Sequence, residues 1–239
     1  MKRNIKDIKG YTIGATDGEI GTVKEFYFDD ESFTVRYVIV KTGSWLFGRE
    51  VLISTQAIIR PNWQEGSLPV NLTREQIKNS PDVDMEKPVS RQQEIKLYSY
   101  YGWDNYWGAG NLWAGGMGVT GMMGAGAGTL PIEAAVENNA NDSVSDNSGD
   151  PHLRSSAAVT GYNIKATDGQ IGDVEDFIID DTTWKISHIV VDTGNWLAGK
   201  KVIVSPRSIK EIRWETSEVF VNATVDEVKN SPEYDANSK

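Results

Sequence analysis

The sequence predicts an all-β protein with short helices, arranged as two small β-barrels in tandem. Three observations predict it. The chain repeats itself at a constant offset, each copy carries an Asp-Gly hairpin signal, and each copy contains an apolar run of strand length.

The repeat comes first. With Gly10 placed on Gly161, GYTIGATDGEIGTVKEFYFDD lies on GYNIKATDGQIGDVEDFIIDD, VKTGSWLFGREVLIS lies on VDTGNWLAGKKVIVS, and NLTREQIKNSPDVD lies on NATVDEVKNSPEYD. The offset of 151 holds without a gap from Gly10 to Asp84, and about 30 of 75 positions are identical. It places Met1 on His152. Residues 1–84 and 152–239 are therefore assigned as barrels 1 and 2, with 85–151 as the segment between them.

Within a copy the elements follow in order. Thr16-Asp17-Gly18-Glu19 and Thr167-Asp168-Gly169-Gln170 suit two-residue hairpin turns, whose residues need positive φ. A strand is predicted from Ile20 to Asp29, and Asp29-Asp30 with Asp180-Asp181 mark the next turns. In Phe33 to Lys41, Phe33, Val35, Tyr37 and Ile39 alternate onto one face while Val38 and Val40 make the other apolar, as in a central strand. Val51–Ile53 and Leu68–Leu72 are two further strands. Thr73 is placed to N-cap a short helix ending at Ser80-Pro81. Five or so short strands in this length fit a closed or nearly closed barrel, and closure removes exposed edges.

These residues resemble a known family. G-Y-x-I-x-A-T-D-G-x-I-G-x-V-x-x-F-x-x-D-D, then V-x-T-G-x-W-L-x-G and the N-S-P ending, are similar to the PRC-barrel, the β-barrel of the cytoplasmic part of the photosynthetic reaction centre H subunit, which also occurs in a ribosome maturation factor. The resemblance covers both ends of the chain, and the tandem arrangement is similar to two-barrel bacterial members. It implies a non-catalytic module that docks on other proteins. Neither the N-terminal transmembrane helix of the one nor the separate N-terminal RNA-processing domain of the other is recognised in these residues, so neither specialised function is expected to carry over.

Composition narrows the function. The formal charge is -10 and the pI about 4.8. Residues 1–84 carry 11 basic and 12 acidic side chains, 85–151 carry 3 and 8, and 152–239 carry 10 and 14. No segment is basic, which argues against nucleic acid as a partner, since such binding neutralises phosphates with Lys and Arg. Cysteine is absent, so disulfides and thiolate chemistry are excluded, and a cytoplasmic setting is expected.

The segment between the repeats is unusual. YSYYGWDNYWGAGNLW runs from Tyr98 to Trp113, and no charge occurs from Asn105 to Ile132. The run is long enough to span a bilayer and contains Gly124-x-x-x-Gly128, but its many glycines would lose backbone entropy while its few large apolar side chains gain little from burial. Three readings stay open: a linker with a few rings packed on the nearby barrel, a patch for a partner protein, or an interfacial membrane contact through 98–132.

Catalytic and metal constellations are not expected. Asp17, Asp168 and the Asp pairs at 29–30 and 180–181 are duplicated and sit in turns, where Asp bonds the backbone. His152 and His188 are the two histidines, and His188 matches Tyr37 of the other copy. Neither a nucleophile elbow, a zinc-protease motif nor a phosphate loop occurs. No cofactor is expected. Trp45 and Trp196 lie in the G-[SN]-W-L-x-G loops, tucked into the core or displayed to a partner. The candidate interaction surface is Trp45, Trp196, Tyr101, Trp103, Tyr106, Trp107 and Trp113. Lys24, Lys41 and Arg60 become Glu175, Asp192 and Glu211, suggesting complementary faces through which the barrels associate with each other or with a second chain. The expected function is a non-enzymatic protein-binding or assembly module. The alternative is a peripheral membrane factor assisting a photosynthetic or respiratory electron-transfer complex.

Overall fold

A computed structural model describes residues 1–81, 89, 91–107, 152–194 and 199–235. The strands are β1 (Lys2–Asn4), β2 (Thr12–Ala15), β3 (Gly18–Asp29), β4 (Thr34–Thr42), β5 (Glu50–Ser54) and β6 (Ser67–Pro69) in the first repeat. The second repeat supplies β7 (Leu153–Ser155), β8 (Asn163–Lys165), β9 (Gln170–Asp180), β10 (Ile186–Asp192), β11 (Lys201–Val204), β12 (Ile209–Arg213) and β13 (Glu218–Val221). Short helices are α1 (Ile5–Ile8), α2 (Arg74–Lys78), α3 (Arg91–Tyr101), α4 (Ser156–Val159) and α5 (Val225–Lys229).

The fold is mostly β, as expected, with the two repeats forming two sheets. One sheet runs β5-β4-β3-β2-β6 and the other β11-β10-β9-β8-β13-β12. Neither path returns to its start, so the expectation of closed barrels is corrected to open sheets. Single-turn helices at Thr55–Ala57 and Pro206–Ser208 lead the chain away after β5 and β11, and these two strands do not pair with the far end of their own sheets.

Edges are handled by exchange. β3 is 12 residues long, but β2 pairs only with its first part, from Gly18 to Thr22. The open edge from Tyr27 to Asp29 is taken by β7 of the other repeat, with Leu153, Arg154 and Ser155 opposite Asp29, Phe28 and Tyr27. Reciprocally, β1 lies on β9, with Lys2, Arg3 and Asn4 opposite Asp180, Ile179 and Ile178. Every one of these pairs maps onto its counterpart under the 151-residue offset. A pseudo-twofold axis therefore passes between the repeats. It runs through the bridge of Thr34 with Lys185, which are equivalent residues, flanked by Val35 N–H to Trp184 O at 2.9 Å and Ile186 N–H to Phe33 O at 2.7 Å.

The core follows the same plan. Phe26, Phe28, Val38 and Val40 of one sheet and Phe177, Ile179, Ile189 and Val191 of the other belong to one continuous buried cluster. Phe28 meets Phe177 across the repeats at 5.3 Å between ring centroids, and Phe26 meets Trp184 at 6.3 Å. Burying each such ring contributes about 1.5–3 kcal/mol, so the repeats share their apolar stabilisation as well as their edges. Lys24 and Glu175 do not face one another. Lys24 pairs with Glu50 of its own repeat at 2.7 Å, while Glu175 reaches Lys6 across the junction at 2.7 Å and Lys201 at 3.0 Å.

The predicted alternation of β4 is corrected in one place. Val35 faces the shared core, but Tyr37 and Ile39 face away from it. A bulge shifts the register between Tyr27/Tyr37 and Phe28/Val35, and β10 repeats the irregularity between Ile186 and His188. The bulge turns Tyr37 to the opposite face, and that face builds the site described next.

Candidate interaction surface

The outer face of the first sheet presents Tyr27, Tyr37, Ile39 and Leu52. Helix α3 lies on it. Glu94, Leu97, Tyr98 and Tyr101 recur at helical spacing and so share one side of α3. The helix stops because Gly102 takes φ +69 and Trp103 N–H reaches back to Tyr98 O at 3.0 Å, a glycine C-terminal cap.

Under the helix sits a buried carboxylate. Glu94 is fully buried, and its Oε1 accepts from the Tyr37 hydroxyl and, at 2.8 Å, from the Tyr106 hydroxyl. Two phenol donors offset the cost of burying that group. Burial, reinforced by the Glu94 charge, pushes the Tyr37 phenol well above its ordinary range, so it serves as a donor. Burial likewise raises Tyr98, and lifts Tyr101 to about 12.

Around this pair the rings form a clasp. Tyr98 meets Tyr37 edge-on at 6.2 Å and Trp107 at 4.8 Å, and Tyr101 stacks on Trp103 at 4.3 Å. The Arg36 guanidinium lies 4.0 Å over Tyr106, and Gln56 Nε2 donates to Asp104 O at 3.1 Å. The predicted residues Tyr101, Trp103, Tyr106 and Trp107 are thus brought together, half-buried against the first sheet. Trp45 is elsewhere and half-buried. Its Nε1–H donates to Ile20 O at 2.7 Å and Arg74 covers its ring at 4.4 Å. Trp113 and Trp196 lie outside the described residues.

Sequence reasoning missed two features. In the loop that carries Trp45, the displayed ring is Phe47, 98% exposed at φ +55. The other is the outer face of the second sheet. Tyr27, Tyr37, Leu52 and Leu153 of the clasped face correspond to Ile178, His188, Ile203 and Lys2, which line a groove of about 460 Å³. The repeat offset alone could have signalled it.

The turn aspartates have structural partners. Asp17 caps α2 by accepting from Arg74 N–H at 2.8 Å, and Asp168 caps α5 through Val225 N–H at 2.8 Å. Asp30 accepts from Arg154 Nε across the junction at 2.7 Å. Among the described residues there is no group of three or more His, Asp or Glu that could hold a metal ion, and no helix long and apolar enough to cross a membrane.

With this geometry in place, the comparison with family models is decisive. The PRC-barrel domain model matches residues 2–65 and 160–228, one segment in each repeat. The chain belongs to the PRC-barrel family. In this PRC-barrel protein the matched segments run from β1 to just short of β6 in one copy, and from just before β8 into α5 in the other. No curated protein matches the chain.

Proposed function

We propose that this PRC-barrel protein is a non-catalytic binding module that assembles on other proteins. The observation that carries the reading is the unequal treatment of two equivalent faces. One outer face is sealed by α3 of the same chain, and its counterpart carries no helix among the described residues. The buried carboxylates of the described residues support a structural role. Glu94 is engaged by phenols, and Asp176 by the N–H groups of Lys6 and Phe177.

Crosslinking in cells, followed by mapping of the linked peptides, tests this. The expected result is protein partners linked to the outer faces and loops of the two sheets. Recovery of the chain with no linked protein would sink the reading. The membrane alternative now rests mainly on 108–132, because Tyr98, Tyr101, Trp103, Tyr106 and Trp107 pack on the first sheet and only Tyr100 of the described rings in this segment stays exposed. Ultracentrifugation of the intact chain beside a deletion of 108–132 separates the two. Pelleting of the intact chain alone would favour the membrane.

A further inference from the structure

Among the described residues the two outer faces are equivalent surfaces, one covered by a helix and the other not, and the covered one describes the ligand of the other. On the first sheet, Tyr27, Tyr37, Leu52 and Leu153 are covered by Val89, Leu97 and Tyr98 in one buried cluster. On the second, the equivalent Ile178, His188, Ile203 and Lys2 line an open groove with Trp63 and Tyr234. His188 and Ile203 are half-exposed there. After the second repeat the chain runs along the edge of β11, where Glu233 bridges Val202, and lays no helix across the sheet up to residue 235.

The substitutions between the faces are chemically directed. The Tyr37 phenol becomes the His188 imidazole, and the apolar Leu153 becomes Lys2. Arg36, which on the first sheet pairs with Asp29 and covers Tyr106, becomes Ser187. A carboxylate entering where Glu94 sits would therefore meet the His188 imidazole N–H and the Lys2 ammonium instead of phenols, in a groove whose rim also carries Asp7, Glu233 and Asp235. The apolar floor of Ile178 and Ile203 remains for a ring one helical turn further on.

We propose that this groove docks a short amphipathic helix of a partner protein that carries a carboxylate and, four residues later, an aromatic ring, as Glu94 and Tyr98 do in α3. This rests on the binding-module reading above and names its site and ligand chemistry. Helix-in-groove recognition of this kind uses anchors at i and i+4.

The probe is a synthetic peptide of residues 89–107, titrated calorimetrically into the full chain. Saturable one-to-one binding is expected. Ile203→Asp is expected to weaken it at least about tenfold, since a charge then faces the ring. Glu94→Gln in the peptide is expected to weaken it severalfold, and His188→Tyr in the chain, which restores the chemistry of the first face, to retain binding. Thermal unfolding of each variant controls for folding. Absence of binding up to millimolar peptide overturns the proposal. So does binding indifferent to Ile203→Asp, which would mean the peptide exchanges with α3 on the first sheet. If the peptide fails while crosslinked partners persist and ignore Ile203→Asp, the groove is wrong and the binding-module reading stands.

Discussion

Arg3 and Arg154, equivalent residues in the two repeats, each donate from Nε to an aspartate of the other repeat, Asp181 and Asp30, at 2.7 Å in both cases. The two halves hold one another by the same contact made twice, beside strands exchanged in both directions.

This reciprocity predicts that the connection between the repeats is dispensable for their association. A protease site placed within 108–151 and cut to completion is expected to leave both fragments in a single gel-filtration peak without denaturant. Two separate peaks would contradict the exchange. Arg3→Ala and Arg154→Ala are each expected to cost about 1 kcal/mol, and to add in the double variant because the contacts share no partner.

Glu94 predicts a coupled pair. Tyr37→Phe removes one donor from a buried carboxylate and is expected to cost about 2 kcal/mol in urea unfolding. Glu94→Gln lowers the need for that donor, so the double variant is expected to cost less than the sum of the singles. Strict additivity would show that the hydroxyl and the carboxylate do not interact.

Asp176 predicts a pH dependence. It is buried at the junction, and burial raises its carboxyl to about 6 despite the N–H groups of Phe177 and Lys6 that it accepts from. The folded state thus binds the proton more tightly than the unfolded chain. This group's cost is absent below about pH 4 and grows as pH rises to about 6, above which it is fully present. Asp176→Asn is expected to stabilise the protein at pH 7 by up to about 3 kcal/mol, with the gain vanishing near pH 4. A difference curve flat with pH would refute this.

Gly21 and Gly172 are equivalent, and a Cβ would stand 2.1 Å from Lys41 O in one and 2.0 Å from Asp192 O in the other. No side chain fits against a neighbouring backbone so near. Gly21→Ala and Gly172→Ala are each expected to destabilise by about 3 kcal/mol or more, with similar falls in melting temperature. A tolerated alanine at either site would show that β3 and β4, or β9 and β10, can move apart there.

The repeat, the succession of strands from Ile20 to Ile53 and the Thr73 cap were legible, because each rests on local pattern or direct self-comparison. The capping box of Thr73 with Gln76 forms as residue types at that spacing suggest. The register of β4 was not legible, since a bulge at Arg36 reverses the face of Tyr37 without a marker such as glycine. Nor was β1. Lys2-Arg3-Asn4 carries no apolar alternation, and it is a strand only because β9 offers it an edge from the other repeat. In the surface cluster, the aromatic composition identified the rings but not their orientation. Beneath them Tyr37 and Tyr106 bond the buried Glu94, a residue that composition and spacing did not single out.

Covalent duplication has a consequence for valency. A homodimer built on the same axis would present two identical outer faces, and any partner bridging them could propagate into an open-ended array. Here α3 closes one face, so among the described residues each chain offers that surface once. A partner helix docked there as proposed would bind with a stoichiometry of one, and the assembly would end at that contact instead of growing from it.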